Sequence, residues 1–413
     1  MATRPYDLVL HGPTGYTGRL CAEHIVKHLP TNLKWALAGR SLRKIEKIGQ
    51  ELKELNPDRT EPDILSVQLN TTELNALAQK TRLIINCVGP YHLYSTPVVE
   101  ACAANGTHYV DATGETPWIK TIIEKYHETA KSNGAIVIPS VGIESAPADI
   151  LTWSIVKRVR QDLSCDTREV TCAIDEMKSS GASGGTLTTI LTMLDTLSVS
   201  DVLKSFQPFA LAASTPPKDI PRESILDKVL GARAVRDMGT LTTSPSGIAD
   251  ITVVHRSSTL MPEFYGPRFY FRQFLRVRNV FVGVAVHYLF LVGLTLLLLP
   301  PVRWLLRQVI YAPGQGPSME SSRNDRVEYR AVATADQNTT TPKRVLGKLK
   351  LQGGMYSVTG LLMAEAAMVI LENEEKVRKV SRGGIVTSAT LGQEYVDRLE
   401  QVGCKFESQI FDY

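Results

Sequence analysis

Three glycines, at positions 12, 15 and 18, are the first residues of the chain whose spacing suits a chemical task. They follow a short apolar run, Leu8–Leu10, and precede a segment whose apolar residues recur at roughly helical spacing. A glycine turn between a strand and a helix lets the backbone approach an anion, and the unpaired N–H groups of the helix start can bind it. The sequence therefore predicts a dinucleotide pyrophosphate site at this turn, formed by Gly12, Thr14, Gly15, Tyr16, Thr17 and Gly18.

Arg40 and Ser41 follow the second predicted strand, residues 34–38, at the point where the ribose of a dinucleotide is recognised. An acidic residue there would accept a hydrogen bond from the 2′-hydroxyl of NAD, whereas Arg40 can pair with a 2′-phosphate. The pattern therefore favours NADP(H) as the cofactor. Two plainer interpretations stay open. Arg40 can be a solvated residue at a helix start. The glycine motif can be an ordinary turn, because Thr14 stands where the better known fingerprint has its second glycine.

Strands and helices continue to alternate through the first third of the chain. Apolar runs at residues 63–67, 83–88, 108–111 and 135–138 are separated by helical segments, and such runs suit strands buried on both faces of a parallel sheet. Ligands of these sheets bind outside the carboxyl ends of the strands. We therefore expect residues after the fourth and fifth strands to help bind the cofactor, namely Gly89, Pro90, Tyr91, Thr113 and Gly114.

The expected fold is α/β, with a doubly wound parallel Rossmann sheet over residues 1–147 and a second α/β domain with a mixed sheet over residues 148–413. Residues 179–186 are rich in Ser, Gly and Thr and suit either a substrate loop or a helix cap. In the second half we predict strands at 170–174, 251–254, 327–332 and 345–351, and helices at 148–159 and 358–371.

The charge and the cysteines argue against two other kinds of site. The chain carries 46 basic and 42 acidic side chains, a net charge of +4, without the concentrated basic stripe that nucleic-acid binding needs. Six scattered cysteines form no C-x-x-C pair and no zinc pattern with histidine, so we predict reduced thiols and no metal site. The first residues lack the apolar core of a secretory signal, so the protein is expected to face the cytosol.

Residues 280–299 contain no Asp, Glu, Lys or Arg, and this length can span the apolar core of a bilayer. Arginines lie on both sides, which fits a segment that enters a membrane and returns, bent at Pro300 and Pro301. Two alternatives are expected for this segment. It associates with a membrane or lipid droplet, or it is buried inside the protein or in a homodimer interface.

Several motifs are those of a known family. The glycine turn reads G-P-T-G-Y-T-G, residues 38–41 read A-G-R-S, residues 86–91 read N-C-V-G-P-Y, and residues 106–115 read G-T-H-Y-V-D-A-T-G-E. With these motifs the chain resembles the saccharopine dehydrogenase-like oxidoreductases, a family that includes the trans-acting enoyl reductases of mycobacterial lipid assembly. The resemblance extends over nearly the whole chain. It implies an NADP-binding Rossmann domain joined to a second domain that lies over the nicotinamide.

Two segments depart from the family pattern and leave the catalytic residues open. Ile143-Glu144-Ser145 stands where Phe-Asp-Ser is expected, and Gly353-Gly354-Met355-Tyr356 stands where an Asp-Pro-Gly-Tyr-like turn is expected. Tyr91 and Tyr356 are the candidate catalytic proton donors, with Thr113 and Glu115 nearby in the predicted crevice. Packing roles are the alternative for these residues, since a tyrosine in a core commonly has a satisfied hydroxyl.

The resemblance implies hydride transfer from NADPH. The apolar segment favours reduction of a carbon–carbon double bond, EC type 1.3 over EC type 1.5, in a lipid- or polyketide-like acyl substrate that is free or carrier-bound. One alternative is a saccharopine-type amino-acid dehydrogenase. Another is a catalytically silent NADP-binding protein at a membrane or lipid droplet.

Overall fold

The fold contains two seven-stranded sheets with helices packed on them, in a computed structural model that describes residues 4–221, 223–309, 311 and 314–411. The predicted α/β class, a parallel Rossmann sheet with a second, mixed sheet, is confirmed. The strands are β1 (Tyr6–His11), β2 (Trp35–Gly39), β3 (Asp63–Ser66), β4 (Thr81–Asn86), β5 (His108–Asp111), β6 (Ile136–Ile138), β7 (Thr167–Lys178), β8 (Ala232–Val235), β9 (Gly239–Thr242), β10 (Tyr270–Val277), β11 (Arg326–Ala335), β12 (Arg344–Gln352), β13 (Gly384–Ile385) and β14 (Lys405–Phe411).

The first sheet is parallel throughout, in the order β3-β2-β1-β4-β5-β6-β13. Its central strands are apolar and fully buried, as the continuous apolar runs predict. Six strands follow the Rossmann order, and the direction of winding changes between β1 and β4, where such sheets bind ligands. The seventh strand, β13, comes from the tail of the chain and was not part of the six-strand prediction.

Helices cover both sheets. Most follow an amphipathic pattern; in α2, for example, Ile45, Ile48 and Leu52 are buried and the charged residues face solvent. The helices are α1 (Tyr16–His28), α2 (Leu42–Leu55), α3 (Thr71–Lys80), α4 (Tyr91–Tyr94), α5 (Thr96–Asn105), α6 (Thr116–Ser132), α7 (Ala146–Leu163), α8 (Gly184–Thr196), α9 (Val199–Ser205), α10 (Ile225–Leu230), α11 (Gly247–Leu260), α12 (Pro262–Tyr265), α13 (Val280–Leu297), α14 (Pro300–Val309), α15 (Met319–Ser322), α16 (Met355–Ser381) and α17 (Gly392–Gln401).

The second sheet is mixed, in the order β14-β12-β11-β7-β10-β9-β8, with β7 and β10 parallel and the other neighbours antiparallel. The predicted strand at residues 251–254 is wrong, because these residues lie in helix α11. The β-branched residues at 251–254 favour a strand, but nearly every position of the helix is buried against β10 and α7, and this tertiary packing overrides the local preference.

One continuous apolar core joins the two sheets. Helix α16 packs against α1 of the first sheet, where Gly360 lies against the backbone of Cys21, and α7 packs on β11 and β12 of the second. Strand β13 and helix α16 come from the second half of the chain, yet β13 completes the first sheet and α16 packs beside it. The apolar core is therefore continuous across residue 147, and the domain boundary at this residue stays a proposal.

Helix α13 fills most of the uncharged stretch at residues 280–299, and among its residues only Gly283 is buried. Its first half packs on β8 and β9, where Thr242 donates to the carbonyl oxygen of Gly283 at 2.7 Å. Within the described part of the chain, two helices, α13 and α16, are long and apolar enough to cross a membrane. Because 72% of the apolar part of α16 is buried, α16 is a core helix. Helix α13 is instead exposed on the outside of the chain.

Candidate functional site

The glycine turn has the tight geometry that its spacing predicts. Gly12 adopts a φ of +87°, which favours glycine, and a Cβ there would lie 2.8 Å from Val88 Cγ2. A Cβ at Gly18 would collide with the carbonyl oxygen of Gly12, because α1 packs directly on the turn. Gly15 has room for a Cβ and serves as the residue that precedes the helix.

The start of α1 presents free backbone donors. No side chain caps the helix at Gly15, and Arg19 is the first residue whose N–H bonds back to the Gly15 carbonyl oxygen, at 2.9 Å. The N–H groups of Tyr16, Thr17 and Gly18 therefore precede the first intrahelical bond and suit an anion. The residues at this turn fit the pyrophosphate of a dinucleotide.

Arg40 lies exposed at the end of β2, followed by Ser41 before α2. No ion pair or hydrogen bond engages the Arg40 side chain within the part of the chain that the structure describes. Its charge acts on His11, next to the turn, where burial is the main cause of a pKa lowered to about 4. His11 is then neutral at pH 7. Because the guanidinium of Arg40 is exposed and free, it is well suited to pair with a ribose 2′-phosphate.

The residues after β4 and β5 are joined by one buried carboxylate. Glu115 accepts hydrogen bonds from the backbone N–H groups of Tyr91, at 2.7 Å, and His92, at 2.8 Å. His92 Nδ1 lies 2.5 Å from the same carboxylate. Thr113 Oγ1 accepts from the N–H of Glu115 at 3.1 Å. Gly89, Pro90, Tyr91, Thr113 and Gly114 are thereby held along one edge of the first sheet.

A series of hydrogen bonds between buried polar side chains connects the strands at this edge. His11 Nδ1 lies 3.0 Å from Asn86 Oδ1, and Asn86 Nδ2 donates to the hydroxyl of Tyr109 at 3.0 Å. Tyr109 in turn donates to Asp111 at 2.6 Å. Burial raises the pKa of Asp111 to about 7, against the opposing effect of its hydrogen bonds. These four residues join the carboxyl ends of β1, β4 and β5.

Tyr91 and Tyr356, the predicted proton donors, have different surroundings. The Tyr91 ring packs 5.8 Å from that of Trp118, and burial raises the pKa of its hydroxyl well above the usual value. The Tyr356 hydroxyl accepts from the N–H of Ser183 at 2.6 Å and lies 2.9 Å from Thr186 Oγ1, at the start of α8. The Tyr356 ring also meets the Tyr16 ring edge-on at 5.2 Å. Tyr356 therefore connects the Ser/Gly/Thr stretch to the glycine turn.

A segment that we call the strap, residues 314–318, lies beside the glycine turn and was not predicted as part of the site. The Tyr16 hydroxyl donates to the carbonyl oxygen of Pro317 at 2.5 Å, and Gly184 donates to that of Gln315 at 3.0 Å. A Cβ at Gly316 would lie 2.8 Å from the Tyr16 ring. The strap follows α14 in the sequence.

Glu144 is a second residue that sequence reasoning did not assign to the site. It follows β6 and lies against Gly114, where a Cβ would collide with its carboxylate. The departure at 143–145 from the family pattern was the only sequence signal. A cavity of about 1070 Å³ elsewhere, under α6 and α12, is lined by none of the predicted site residues. No group of three or more potential metal ligands occurs in the described ranges.

The parallel sheet, the uncapped helix start and the free Arg40 are the features of a Rossmann-type dinucleotide-binding protein. The family model for the saccharopine dehydrogenase NADP binding domain matches residues 8–138. The predicted resemblance to the saccharopine dehydrogenase-like oxidoreductases is confirmed, and NADPH is the cofactor.

The similarity to known proteins extends over the whole chain. Trans-acting enoyl reductases of Mycobacterium ulcerans and Mycobacterium tuberculosis are 26% and 27% identical, over 97% of each chain in both comparisons. A second M. tuberculosis protein, provisionally given the same name, is 28% identical over 98% of each chain. The solved structure of saccharopine dehydrogenase (L-Glu forming) from Saccharomyces cerevisiae matches with a TM-score of 0.58 and 10% identity, covering 98% of this chain and 100% of that one. This last likeness shows the fold.

Proposed function

We propose that this NADP-dependent oxidoreductase is an enoyl reductase that acts in trans on a lipid- or polyketide-like acyl thioester. The observation that supports the proposal best is the similarity of the whole chain, not of the Rossmann domain alone, to trans-acting enoyl reductases. Bound NADPH supplies a hydride for the β-carbon of the double bond. In this proposal, the protein provides the acyl site, mainly from the second domain, and a proton for the α-carbon.

The chain's own residues hold the cofactor in this proposal. The first N–H groups of α1 bind the pyrophosphate, and Arg40 pairs with the 2′-phosphate. Gly89, Pro90, Thr113 and Gly114 provide a backbone edge that Glu115 holds in place. Tyr91 and Tyr356 stay proposals as proton donors, and each has an obstacle: the Tyr91 hydroxyl is enclosed, and the Tyr356 hydroxyl is engaged by Ser183 and Thr186.

The test is an assay of the purified full chain with NADPH and a panel of enoyl thioesters of increasing acyl length. We expect NADPH oxidation together with the saturated thioester, and loss of both in Gly15→Asp, which places a carboxylate at the anion site. NADPH binding without reduction of any acyl chain would favour the silent NADP-binding alternative. Oxidation of saccharopine with NADP as acceptor would favour the amino-acid dehydrogenase.

We also propose that the protein docks on the cytoplasmic face of a membrane or on a lipid droplet through an exposed apolar patch. Large side chains on three neighbouring helices form this patch, and Tyr288 ties two of the helices together by donating to the carbonyl oxygen of Val229 at 3.0 Å. Isolated exposed apolar residues are ordinary, but a contiguous set marks an interaction surface. The patch consists of Ile225, Leu226 and Val229 on α10, Phe281, Leu289 and Val292 on α13, and Trp304, Leu305 and Val309 on α14.

A further inference from the structure

Glu144 lies at the carboxyl edge of the first sheet, where the second domain begins. It follows β6 by six residues and stands two residues before α7, so it is placed at the junction of the two sheets. Ligands of parallel α/β sheets bind at this edge. The position brings a carboxyl group next to residues that are proposed to bind NADPH.

The backbone on either side of Glu144 is fixed from both domains. The hydroxyl of Tyr329, on β11, donates to the carbonyl oxygen of Ile143 at 2.9 Å. The N–H of Ile143 donates to Thr359 Oγ1, on α16, at 3.3 Å. The N–H of Ser145 donates to the carbonyl oxygen of Gly142 at 3.2 Å, in the turn that precedes α7. A turn clamped in this way sets the direction of the Glu144 side chain.

The carboxylate of Glu144 lies on Gly114, the residue that follows Thr113 after β5. A Cβ at position 114 would collide with Glu144 Oε2 and would lie 3.0 Å from Glu144 Cδ. Glycine at 114 is therefore what allows a carboxyl group to reach this edge. Since Gly114 is part of the proposed cofactor site, the Glu144 carboxyl lies within the same site.

The electrostatic surroundings of Glu144 favour its protonated form. No hydrogen bond or ion pair engages its carboxylate across residues 4–221, 223–309, 311 and 314–411. The side chain is accessible to solvent, yet enough protein surrounds it that desolvation raises the pKa of its carboxyl. Its charge also acts on buried Asp250 of α11 and Tyr329 of β11, which are themselves acidic groups. Among the residues that the structure describes, no cation lowers the pKa of this carboxyl.

We propose that Glu144 is the proton donor of the reduction, and that its position excludes substrates with a carboxylate at the reacting end. The inference rests on the proposed function, because an acid at the α-carbon is needed only when a double bond is reduced. A neutral acyl thioester is not repelled by Glu144 in either protonation state. A substrate carboxylate, as in an amino dicarboxylate, would face the acidic groups of Glu144 and Asp250, with no cation pairing with the Glu144 carboxyl among the described residues.

The proton balance of the step is simple. When the β-carbon receives a hydride, the carbon–carbon π bond breaks and its electron pair passes to the α-carbon and the thioester oxygen. The α-carbon then forms a bond with the carboxyl proton of Glu144, whose O–H bond breaks to leave the carboxylate. Because the side chain is accessible to solvent, water returns the proton before the next turnover.

The test compares Glu144→Gln with Glu263→Gln, a matched change at an exposed glutamate on α12. General acids contribute about 10²- to 10⁴-fold, so we expect kcat for enoyl reduction to fall by about 10²-fold or more in Glu144→Gln. NADPH affinity, measured by fluorescence, should be unchanged. In the wild type, kcat should fall as the pH rises through the Glu144 pKa, and this limb should vanish in Glu144→Gln. Glu263→Gln should behave as the wild type.

A second readout needs neither substrate nor cofactor. Infrared difference spectra of wild type minus Glu144→Gln should contain the carbonyl band of a protonated carboxylic acid at a pH above about 4.3, the ordinary value for glutamate. Wild-type kcat and an unchanged pH limb in Glu144→Gln would overturn the proposal, and loss of that limb in Tyr356→Phe instead would assign the acid to Tyr356. If the wild type reduces no enoyl thioester, the proposed function fails while the infrared band still reports the state of Glu144.

Discussion

We propose that Arg40 is the residue that discriminates between NADPH and NADH. Its guanidinium is exposed and free of partners among the described residues, and it stands at the end of β2, where the adenosine ribose is recognised. A phosphate dianion facing such a group gains charge-assisted hydrogen bonds, whereas a ribose hydroxyl gains little. The preference for the phosphorylated cofactor should therefore depend on this single side chain.

We predict that Arg40→Ser weakens NADPH binding while it leaves NADH binding nearly unchanged. Hydrogen bonds to charged groups are worth about 1.5–3 kcal/mol, so the dissociation constant for NADPH should rise about 10- to 150-fold. Fluorescence titration with both nucleotides measures the two constants. Lys80→Ala is the matched control, because Lys80 ends α3 at the opposite, amino edge of the sheet. An equal loss of both nucleotides in Arg40→Ser would show that Arg40 supports the fold and not the phosphate.

At the scale of elements, the Rossmann half was predictable because its local signals agree with its tertiary packing. Glycine is required at 12 by its positive φ and the closeness of Val88, and at 18 by the packing of α1 on the turn. Buried strands are predicted by continuous apolar runs. The strand predicted at 251–254 was wrong because a helix buried nearly all round has no apolar stripe to reveal its period. Strand β13 is only two residues long, and its pairing with β6 depends on contacts far along the chain.

In the candidate site, the geometry of the glycine turn was also predictable, and the contacts of Glu144 and of the strap were not. Phosphate and ribose contacts depend on short motifs in which glycine, threonine and arginine occupy fixed positions on one strand, turn and helix. Glu144 approaches Gly114 only when β5, β6, β11 and α16 are assembled, and the strap reaches Tyr16 from about 300 positions away in the chain. The spacing of neighbouring residues in the sequence does not predict such long-range contacts.

The packing of α16 on α1 is the element contact that ties the second half of the chain to the cofactor helix. Gly360 allows it, because a Cβ at that position would lie 2.8 Å from the Cα and the N of Cys21. We predict that Gly360→Val destabilises the protein by about 1–3 kcal/mol or more, since larger side chains in a packed core force the backbone apart. Thermal melting of the full chain measures the effect.

Gly293→Ala is the matched control for that change. Gly293 also lies inside a helix, α13, but a Cβ there meets nothing within 4 Å. Replacing glycine by alanine in a helix interior gains about 0.5–1 kcal/mol, so the melting temperature should stay level or rise. NADPH should protect Gly360→Val from melting less than it protects the wild type, because α1 carries the phosphate site. A Gly360→Val protein as stable as the wild type would show that α1 and α16 can separate freely.

At the scale of the whole molecule, contacts connect elements of the apolar patch with the surroundings of the proposed cofactor site. Helix α13 packs on α14, and the strap lies on Tyr16 at the start of α1. Arg303 on α14 also pairs with Asp195 on α8 at 3.0 Å, and α8 begins where Tyr356 accepts its hydrogen bond from Ser183. These contacts connect α14, which carries part of the apolar patch, with α8, which begins beside Tyr356.

The membrane proposal predicts that the purified protein binds phospholipid vesicles through the patch. Phe281 and Leu289 are 86% and 71% exposed, so charges placed there should not disturb the core. We expect Phe281→Glu with Leu289→Glu to reduce cosedimentation with phosphatidylcholine vesicles at least tenfold, about 1.4 kcal/mol. Adding phosphatidylserine should strengthen binding of the wild type, because exposed Arg278 lies just before α13 beside the patch and attracts anionic lipid.

The matched control places the same charges on exposed leucines outside the patch, as Leu203→Glu with Leu55→Glu. This variant should bind vesicles as the wild type does, because it adds equal charge without touching α10, α13 or α14. Sizing chromatography distinguishes the remaining occupant of the patch. The wild type could bind no vesicles, elute as a dimer, and become a monomer with Phe281→Glu and Leu289→Glu. This result would assign the patch to a second copy of the chain, since an exposed apolar patch marks a site of interaction with protein or membrane.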